Sequence, residues 1–507
     1  MPFEKVESSV DFPSLERSIL AFWDANGIFE KRKALNAGKP TWSFLDGPIT
    51  ANNPMGVHHA WGRTYKDVYN RYFAMTGHEL RYQQGFDCQG LWVEVEVEKA
   101  LGLKSKRDIE NLVAGDAEAS IAQFVQACKD RVNKFARVQT EQSIRLGYWM
   151  NWDRTDADWA KRPDDRKSYF TMAEENNYTI WAFLKKCHHK GLVYRGYDVM
   201  PWCGRCGVGL SEMEMKEGYR LVEHRAVFVK FPLKDRPGEN LLVWTTTPWT
   251  LTSNVGAAVN PDLTYLKVKL RGEVYYLSKG VFKMNRMESA GSEEDGEADA
   301  GTSKKKRDWL DGVPQLVSIE QMFKSKAGKG ETYEIVGEVK GSDMLGWEYV
   351  GPFDDLPAQN HEYGFPEDVA KVTRQSGKWP QTTAAKSHKI ISGGKDVTET
   401  EGTGIVHTAP GCGAIDYQWG QQNGLPPVAP IGDDGHFVEG FGPLTGKNAA
   451  DHATADAVFE ELKKRDLLFT TERYVHRYPH CWRCKTELLY RLVDEWFINM
   501  GPRNTEE

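Results

Sequence analysis

The chain has 507 residues, 40% of them hydrophobic and 27% charged, and its formal net charge is −7. This length exceeds what one hydrophobic core organises, so we expect two to four domains. The sequence holds no apolar run of the roughly 18 residues that a membrane span needs and no apolar signal region near Met1, so we expect a cytoplasmic protein. The negative charge excludes nucleic-acid binding through a global basic field, and any such contact needs local basic patches.

The first 100 residues alternate between helical and strand-like patterns. Residues 1–40 are polar with scattered aromatic side chains, which predicts a helical arm. Apolar runs at 42–46 and 79–84 predict two strands, with a helix to about Gly77 between them. This order predicts a parallel α/β unit, whose ligand is expected at the carboxyl ends of the strands.

The chain continues with helical patterns and then changes character. Residues 93–98 alternate Val and Glu, but their place after a turn-rich loop in an α/β unit favours a helix. Further helical patterns cover 116–146 and 168–190. From about Leu192 to Arg477 short strand-like runs recur, at 226–231, 241–245, 265–270 and 274–277, and predict a β-rich inserted domain. Within it, an acidic Ser/Gly tract and a basic run at 287–307 predict a surface loop.

Two adjacent histidines open the first predicted helix. Gly56, His58 and His59 follow a turn-rich loop that begins at Asp46. Backbone N–H groups at the start of a helix, together with nearby imidazoles, can form a phosphate-binding site. The alternative is an ordinary β–α turn with two surface histidines.

Four of the eight cysteines form two C-x-x-C pairs, one at each end of the inserted domain. Such pairs would meet at the base of the insertion and bind a tetrahedral zinc through four thiolates, a structural site with no open position. The alternative is a pair of turns without metal. The predicted ligands are Cys203, Cys206, Cys481 and Cys484.

Two further segments combine residues with catalytic potential. The run at 244–251 contains the consecutive hydroxyls Thr245, Thr246 and Thr247 beside a proline. A glycine-rich run at 402–417 places His407 and Asp416 in one loop region, where the carboxylate can hold a cationic amine and the imidazole can orient water. On local grounds a satisfied loop histidine and a helix-capping aspartate are equally good readings.

Together these segments resemble the isoleucyl-tRNA synthetases of class I. The matching pieces follow that family's order and lie at 45–49, 56–59, 64–67, 86–90, 191–195, 244–251, 402–417 and 480–485. The Trp-Thr-Thr-Thr-Pro-Trp-Thr run distinguishes this family from its valyl and leucyl relatives, in which the corresponding run resembles Thr-Thr-Arg-Pro-Glu/Asp-Thr.

The resemblance implies an α/β protein: the first half of a Rossmann-type nucleotide-binding domain at 41–200, an inserted connective and editing domain at 201–480, and a return to the catalytic domain at 481–507. It implies an isoleucine–tRNA ligase that uses ATP with Mg²⁺ to join isoleucine to tRNA(Ile) and that hydrolyses Val-tRNA(Ile). A second, hydrolytic site is needed because one methylene group discriminates by only about 1–3 kcal/mol, a figure known from this enzyme class itself.

The resemblance also implies residue roles in the synthesis site. Pro48 and Asp87 would anchor the amino group of isoleucine, and His59 would stabilise the ATP phosphates in the transition state. The family pattern is His-x-Gly-His, whereas this chain reads Gly56-Val-His58-His59, with the first and third positions exchanged. Either the loop is rebuilt so that His58 replaces the missing first imidazole, which we favour, or synthesis is impaired.

In the editing site, the resemblance implies that Asp416 pairs with the α-ammonium of the mischarged residue. The residues expected to line the pocket are Thr245, Thr246, Thr247, His407 and Asp416. The family's Lys-Met-Ser-Lys-Ser loop and anticodon-binding domain are not found in the sequence, so we expect a monomeric fragment that edits but does not aminoacylate alone. The alternatives are a non-catalytic tRNA-binding paralogue, an editing-only hydrolase, and a small His-x-Gly-His nucleotidyltransferase.

Overall fold

The computed structural model describes residues 9–44, 46–216, 218–284, 286, 316–328, 330–377 and 379–501. The chain divides into two compact units, Met1–Val193 with Met500–Glu507, and Tyr194–Asn499. The predicted loop at 287–307 lies outside the described residues. Among the helices of the described segments, none combines the length and apolar character that crossing a membrane requires.

The first unit is mainly helical, and residues 1–40, predicted as a helical arm, contain two helices. The helices of this unit are α1 (Phe12–Ala25), α2 (Ile28–Leu35), α3 (Val57–Met75), α4 (Leu91–Leu101), α5 (Ala117–Arg145), α6 (Asp156–Trp159) and α7 (Glu174–His189). Asp116 caps α5 by accepting a hydrogen bond from the Ala119 N–H, which satisfies one of the free donors of the first turn.

Five short strands of the first unit are all paired in parallel, which confirms the predicted α/β unit. The strands are β1 (Thr41–Trp42), β2 (Ile49–Thr50), β3 (Glu79–Leu80), β4 (Gly85–Asp87) and β5 (Tyr169–Phe170). β1 pairs with β3, and a second sheet has the order β2-β4-β5. Phe86 and Phe170 are fully buried in the core beside this second sheet.

Two predicted strands are shorter than expected. Of the run at 42–46, only Trp42 belongs to a strand, β1 (Thr41–Trp42), and the Asp46 carboxylate accepts a hydrogen bond from the Gly85 N–H at 2.9 Å. The run at 79–84 ends at Leu80, because Tyr82 has φ = +51° and interrupts the extended backbone.

The Val/Glu alternation at 93–98 is helical, as predicted from its context. It lies within α4, which Gly90 precedes with φ = +87° and Gly102 ends in the left-handed conformation. The helical pattern at 168–190 is only partly right. Its first residues form β5, and α7 begins at Glu174 with two glutamates in its first turn, where negative charge is favourable.

The second unit is rich in β-structure, as predicted. Its longer strands are β6 (Val193–Cys203, beginning at the last residue of the first unit), β8 (Tyr219–Pro232), β9 (Glu239–Thr245), β11 (Thr264–Leu270), β12 (Glu273–Ser278), β13 (Glu334–Lys340), β16 (Leu468–Pro479) and β17 (Leu489–Ile498); the shorter ones are β7 (Val208–Gly209), β10 (Gly256–Val259), β14 (Lys389–Ser392) and β15 (Ile405–Thr408). They form a six-stranded sheet of order β13-β11-β12-β9-β8-β16 and the three-stranded sheets β14-β10-β15 and β17-β6-β7.

Helices of this unit are short and lie between the strands. They are α8 (Glu212–Lys216), α9 (Lys279–Phe282), α10 (Ile319–Ala327), α11 (Gly341–Met344), α12 (Glu367–Gln375), α13 (Ala414–Asn423) and α14 (His452–Lys464). The main core joins the six-stranded sheet to the β14-β10-β15 sheet. Phe231 and Tyr349 are fully buried there and stack with their ring centroids 5.0 Å apart.

β8 and β16 form a long antiparallel ribbon in the six-stranded sheet. Their pairing runs from Tyr219 opposite Pro479 to Val229 opposite Leu468. The ribbon therefore brings the chain segments before Tyr219 and after Pro479 to the same place.

Candidate functional site

The histidine loop forms the N-terminus of α3. Gly56 is the residue that precedes the helix, and its N–H donates a hydrogen bond to Nδ1 of His59 at 3.1 Å. The two imidazole rings lie against each other, with their centroids 3.8 Å apart. His58 is exposed and His59 is half-buried. Because Nδ1 of His59 accepts this bond, the neutral ring carries its proton on Nε2.

The ring of His58 folds back over Gly56. A Cβ atom added at position 56 would lie 2.9 Å from Cε1 and 3.1 Å from Nδ1 of His58. The imidazole therefore occupies the space in which a side chain at position 56 would begin.

A buried arginine lies one helical turn after the histidines. Arg63 is 4% exposed, and its Nη1 donates to Oγ of Ser143 at 2.6 Å. Burial lowers the pKa of Arg63 to about 10. The pKa of His59 is lowered by its own burial, and the charges of His58 and Arg63 lower it further. Arg63 was not among the residues predicted from the sequence. It lies four residues after His59, a spacing that places both residues on one face of α3.

Asp87 is the last residue of β4, whereas Pro48 immediately precedes β2, the parallel neighbour of β4, and so lies at the opposite end of the pair. Thr50 and Asp87 are paired in register, and Oγ1 of Thr50 donates to Oδ2 of Asp87 at 2.9 Å. Pro48 lines an open cleft of the first unit together with Asp46 and Tyr169. Asp87 is not among the residues that line this cleft.

All four cysteines of the C-x-x-C pairs meet in the second unit. Their sulfur atoms lie within 4.8 Å of one another, and Sγ of Cys203 is 3.4 Å from Sγ of Cys484. An ion held by four thiolates at about 2.3 Å, as zinc is, places its sulfurs about 3.8 Å apart in a tetrahedron. The donor set and its spacing therefore fit a tetrahedral zinc-type ion.

The two C-x-x-C turns have the same backbone geometry. The N–H of the residue after each second cysteine donates to the carbonyl of the first cysteine at 2.8 Å, from Gly207 to Cys203 and from Lys485 to Cys481. Gly207 and Lys485 both have positive φ, +63° and +68°. A lysine rarely adopts this conformation unless its surroundings impose it. The positive φ of Lys485 could not be predicted from the sequence, because only the first of the two turns has glycine at this position.

The threonine run leaves β9 and enters a 3-10 turn. Thr245 ends the strand, and its Oγ1 accepts a hydrogen bond from the Thr247 N–H at 3.1 Å. The hydroxyls of Thr245 and Thr247 are 3.2 Å apart. Thr246 and Thr247 also line a cleft that they share with His224 and other residues. The turn then runs over Pro248–Ser253 and is fully buried.

The glycine-rich run meets this turn through a side-chain hydrogen bond. His407 lies on β15 and is 8% exposed, and its Nε2 is 2.9 Å from Oγ1 of Thr250. Burial lowers the pKa of His407 to about 4, so the ring is neutral at physiological pH. The sequence analysis named His407 but not Thr250. The only indication of Thr250 in the sequence is that it is one more hydroxyl residue, three positions after Thr247.

Asp416 follows in the first turn of α13. Its Oδ2 accepts a hydrogen bond from the Ala409 N–H at 2.9 Å, which closes the loop between β15 and the helix. Burial raises the pKa of Asp416 to about 7. Asp416 therefore carries its proton over part of the neutral range, and a cation bound beside it would favour the ionised form.

Comparison with known proteins gives consistent matches along the chain. The profile of the family described as "tRNA synthetases class I (I, L, M and V)" matches residues 18–505. The protein named "Isoleucine--tRNA ligase" from Thermobifida fusca is 35% identical over 98% of this chain and 39% of its own length. Proteins of the same name from Pyrococcus furiosus and Streptomyces coelicolor are 33% and 34% identical. The chain spans about two fifths of the length of these relatives.

His407 makes the protein less stable in acid. Its pKa is about 4 in the folded chain and 6.5 in the unfolded chain, so the unfolded chain binds the proton first as the pH falls. The folded chain therefore has its full stability with respect to His407 above pH 6.5, and this contribution to the free energy of unfolding is lost as the pH falls from 6.5 to 4. His407→Gln should therefore reduce the difference in unfolding free energy between pH 7.5 and 4.5 by roughly 2–3 kcal/mol. Urea titrations of each variant at the two pH values measure this difference in unfolding free energy. The control is His58→Gln, a substitution of an exposed histidine. Equal differences for both variants would contradict the prediction.

Proposed function

The chain belongs to the class I tRNA synthetases, and from that premise we propose that it carries the hydrolytic editing site and part of the synthesis site of an isoleucine–tRNA ligase. The proposed substrates are isoleucine, ATP with Mg²⁺, and tRNA(Ile). The observation that supports it best is the hydrogen bond between Thr250 and His407. It joins the two segments that the family resemblance assigns to one editing pocket, although 157 residues separate them in the chain.

In the proposed editing reaction, water cleaves the ester between valine and the terminal ribose of tRNA. Asp416 pairs with the α-ammonium group of valine, and binding of that cation draws the proton from the carboxyl group, whose pKa burial raises to about 7. The hydroxyls of Thr245, Thr246 and Thr247 hold the ester by hydrogen bonds. The neutral ring of His407 acts by hydrogen bonding, because its pKa of about 4 keeps it from being a cation.

In the proposed synthesis site, His59 contacts the ATP phosphates through Nε2. Its Nδ1 is occupied by the Gly56 N–H, so Nε2–H is the donor available to an anion. His58 supplies the second imidazole, since its ring stands over Gly56. Pro48, just before β2, and Asp87, at the end of β4, anchor the amino group of isoleucine. The helix N-terminus adds partial positive charge at the same point.

We also propose that Cys203, Cys206, Cys481 and Cys484 bind one zinc ion. The closeness of the four sulfurs and the matching backbone of the two turns support this. Zinc would tie the segment before β8 to the segment after β16. Its role is structural, because four thiolates complete a tetrahedral site. The monomeric state and the cytoplasmic location stay predictions from the sequence.

Hydrolysis of Val-tRNA(Ile) by the 507-residue chain tests the editing proposal. The purified chain should release valine, and Asp416→Ala should slow the release by about 10- to 100-fold, because a hydrogen bond to a charged group is lost. Asp343→Ala, at an exposed position of the same unit, is the matched control and should leave the rate unchanged. A chain that binds tRNA(Ile) but releases no valine would favour the non-catalytic tRNA-binding paralogue.

Isoleucine-dependent ATP–pyrophosphate exchange tests the histidine loop, and it is measured in the longest natural protein that contains this chain. Exchange should stand above background, and His59→Ala should lower it by about 100-fold or more, as loss of one transition-state donor does. Gly56→His alone should also impair exchange, because its Cβ displaces the ring of His58. The paired change of Gly56→His and His58→Gly should restore it. Exchange by the paired variant but not by the natural protein would refute the rebuilt loop.

Metal content tests the zinc proposal. The purified chain should contain about one zinc per molecule by mass spectrometry, and Cys206→Ser with Cys484→Ser should remove it, since two of four ligands are lost. Cys128→Ser, in the first unit and apart from the cluster, is the control and should retain zinc. A chain without zinc whose thermal unfolding is unaffected by a chelator would refute the site.

A further inference from the structure

We propose that Glu214 is a positioning residue of the four-cysteine site. Its carboxylate joins the segment that follows the first C-x-x-C turn to the second C-x-x-C turn, and so holds the two halves of the site together. Glu214 lies on α8, eight residues after Cys206. This inference rests on the proposed zinc site and deepens it by naming the side chain that assembles the site.

The two oxygens of the Glu214 carboxylate bind different segments of the chain. Oε2 accepts hydrogen bonds from the N–H and the hydroxyl of Ser211, at 2.9 and 3.1 Å. Oε1 accepts from Nε1–H of Trp482 at 3.2 Å and from Nη2–H of Arg483. Trp482 and Arg483 are the two residues between the cysteines of the second turn. One side chain therefore bridges segments that lie 268 residues apart in the chain.

The bond between Glu214 and Arg483 is an ion pair in a partly buried place. The side chain of Arg483 is 13% exposed and that of Glu214 is 26% exposed. Two further nitrogens of Arg483, Nε and Nη1, are buried and have no hydrogen-bond partner among the described residues. Charge-assisted bonds of this kind are stronger than neutral ones. Loss of the carboxylate would leave a mostly buried cation without its anion, which is costly.

The backbone at the end of α8 contacts the second turn as well. The His480 N–H, next to Cys481, donates to the Gly218 carbonyl at 3.0 Å. A Cβ atom at position 218 would lie 2.0 Å from the His480 carbonyl oxygen, so only glycine allows the two segments to approach this closely. The carboxylate of Glu214 and the carbonyl of Gly218 therefore hold the second turn on both sides of Cys481.

The first turn is fixed by different contacts. Nε1–H of Trp202 donates to the Asp433 carbonyl at 2.7 Å. A Cβ atom added at Gly204, inside the turn, would lie 2.8 Å from the Asp434 carbonyl oxygen. The first turn is thus packed on the loop at 433–434, and Glu214 brings the second turn to it. None of these contacts uses a cysteine sulfur, so they can form without a metal ion.

An assembled pair of turns binds a metal ion more tightly than two separate turns. Without the bridge, part of the binding energy of the ion is spent on bringing two distant segments together. Residues that orient metal ligands by hydrogen bonds change metal affinity for this reason. Glu214 therefore contributes to zinc affinity without being a ligand.

Substitution of Glu214 tests the inference through zinc affinity. The dissociation constant of zinc is measured for the purified 507-residue chain by competition with a chromogenic chelator. Glu214→Ala should weaken zinc binding by about 10- to 100-fold. Cobalt(II) bound to this variant should keep the absorption spectrum of a four-thiolate site, because no ligand is removed. Glu212→Ala, at an exposed glutamate of the same helix, is the matched control and should bind zinc as the natural chain does.

A second substitution shows whether Glu214 acts through its ion pair. Arg483→Leu removes the cation that the carboxylate balances. The combined variant Glu214→Ala with Arg483→Leu should lose clearly less zinc affinity than the product of the two single losses, because both changes break the same bond. A loss equal to the product would mean that Glu214 acts by another route and would overturn the inference.

Cross-linking of the two turns gives a readout that needs no metal. In the background Cys206→Ser with Cys481→Ser, each turn keeps one thiol, Cys203 or Cys484, and their sulfurs lie 3.4 Å apart. Diamide takes one proton and one electron from each thiol, and the two sulfurs form a disulfide. Added Glu214→Ala should slow this cross-link by about fivefold or more, because the effective concentration of one thiol at the other falls. Mass spectrometry of the linked peptides measures the rate.

The two readouts distinguish failure of the inference from failure of the zinc proposal. In a chain that binds zinc, an unchanged affinity or an unchanged cross-linking rate in Glu214→Ala would overturn the inference. A natural chain that binds no zinc, but cross-links more slowly without Glu214, would refute the zinc site and leave the joining of the two turns standing. If Glu214→Ala does not fold, Glu214→Gln keeps the shape of the side chain without its charge, and zinc binding about threefold weaker or more is expected.

Discussion

The antiparallel pairing of β8 with β16 is the constraint on which the second unit depends. These strands are almost 240 residues apart in the chain, yet their backbones are joined over the whole span from Tyr219 to Val229. A pairing between such distant segments carries a large entropic cost of loop closure, so it needs support at its ends. The four cysteines lie just beyond one end, and a metal ion there would remove most of the freedom of the two segments before the sheet forms. The position of the C-x-x-C pairs follows from this topology.

Burial shifts both titratable groups of the proposed editing site toward their neutral forms. The same physical cause acts in opposite directions on its two titratable groups: it lowers the pKa of His407 to about 4 and raises that of Asp416 to about 7. Asp416 therefore loses part of its contribution to stability as the pH rises from 3.8 to 7, whereas His407 loses its contribution as the pH falls from 6.5 to 4.

The sequence predicts the architecture well where patterns are long. The parallel α/β unit, helical structure near the N-terminus, the β-rich insertion and the meeting of the four cysteines all follow from spacing and order. Local exceptions were not predictable: the strand at 79–84 ends early because Tyr82 adopts a positive φ, and no pattern in the residues announces that. Of the proposed hydrolytic site, His407 and Asp416 were predicted from their residue types, and their roles stay predictions. Thr250 was not predicted, because its contact with His407 joins residues 157 positions apart in the chain.

The overlap between the ring of His58 and the space above Gly56 has a consequence for how such a loop arises in evolution. A side chain at position 56 and the present position of the His58 ring exclude each other. The effect of a mutation at either position therefore depends on the residue at the other. A lineage that moves between the two arrangements passes through an intermediate with both imidazoles competing for one space or with neither present.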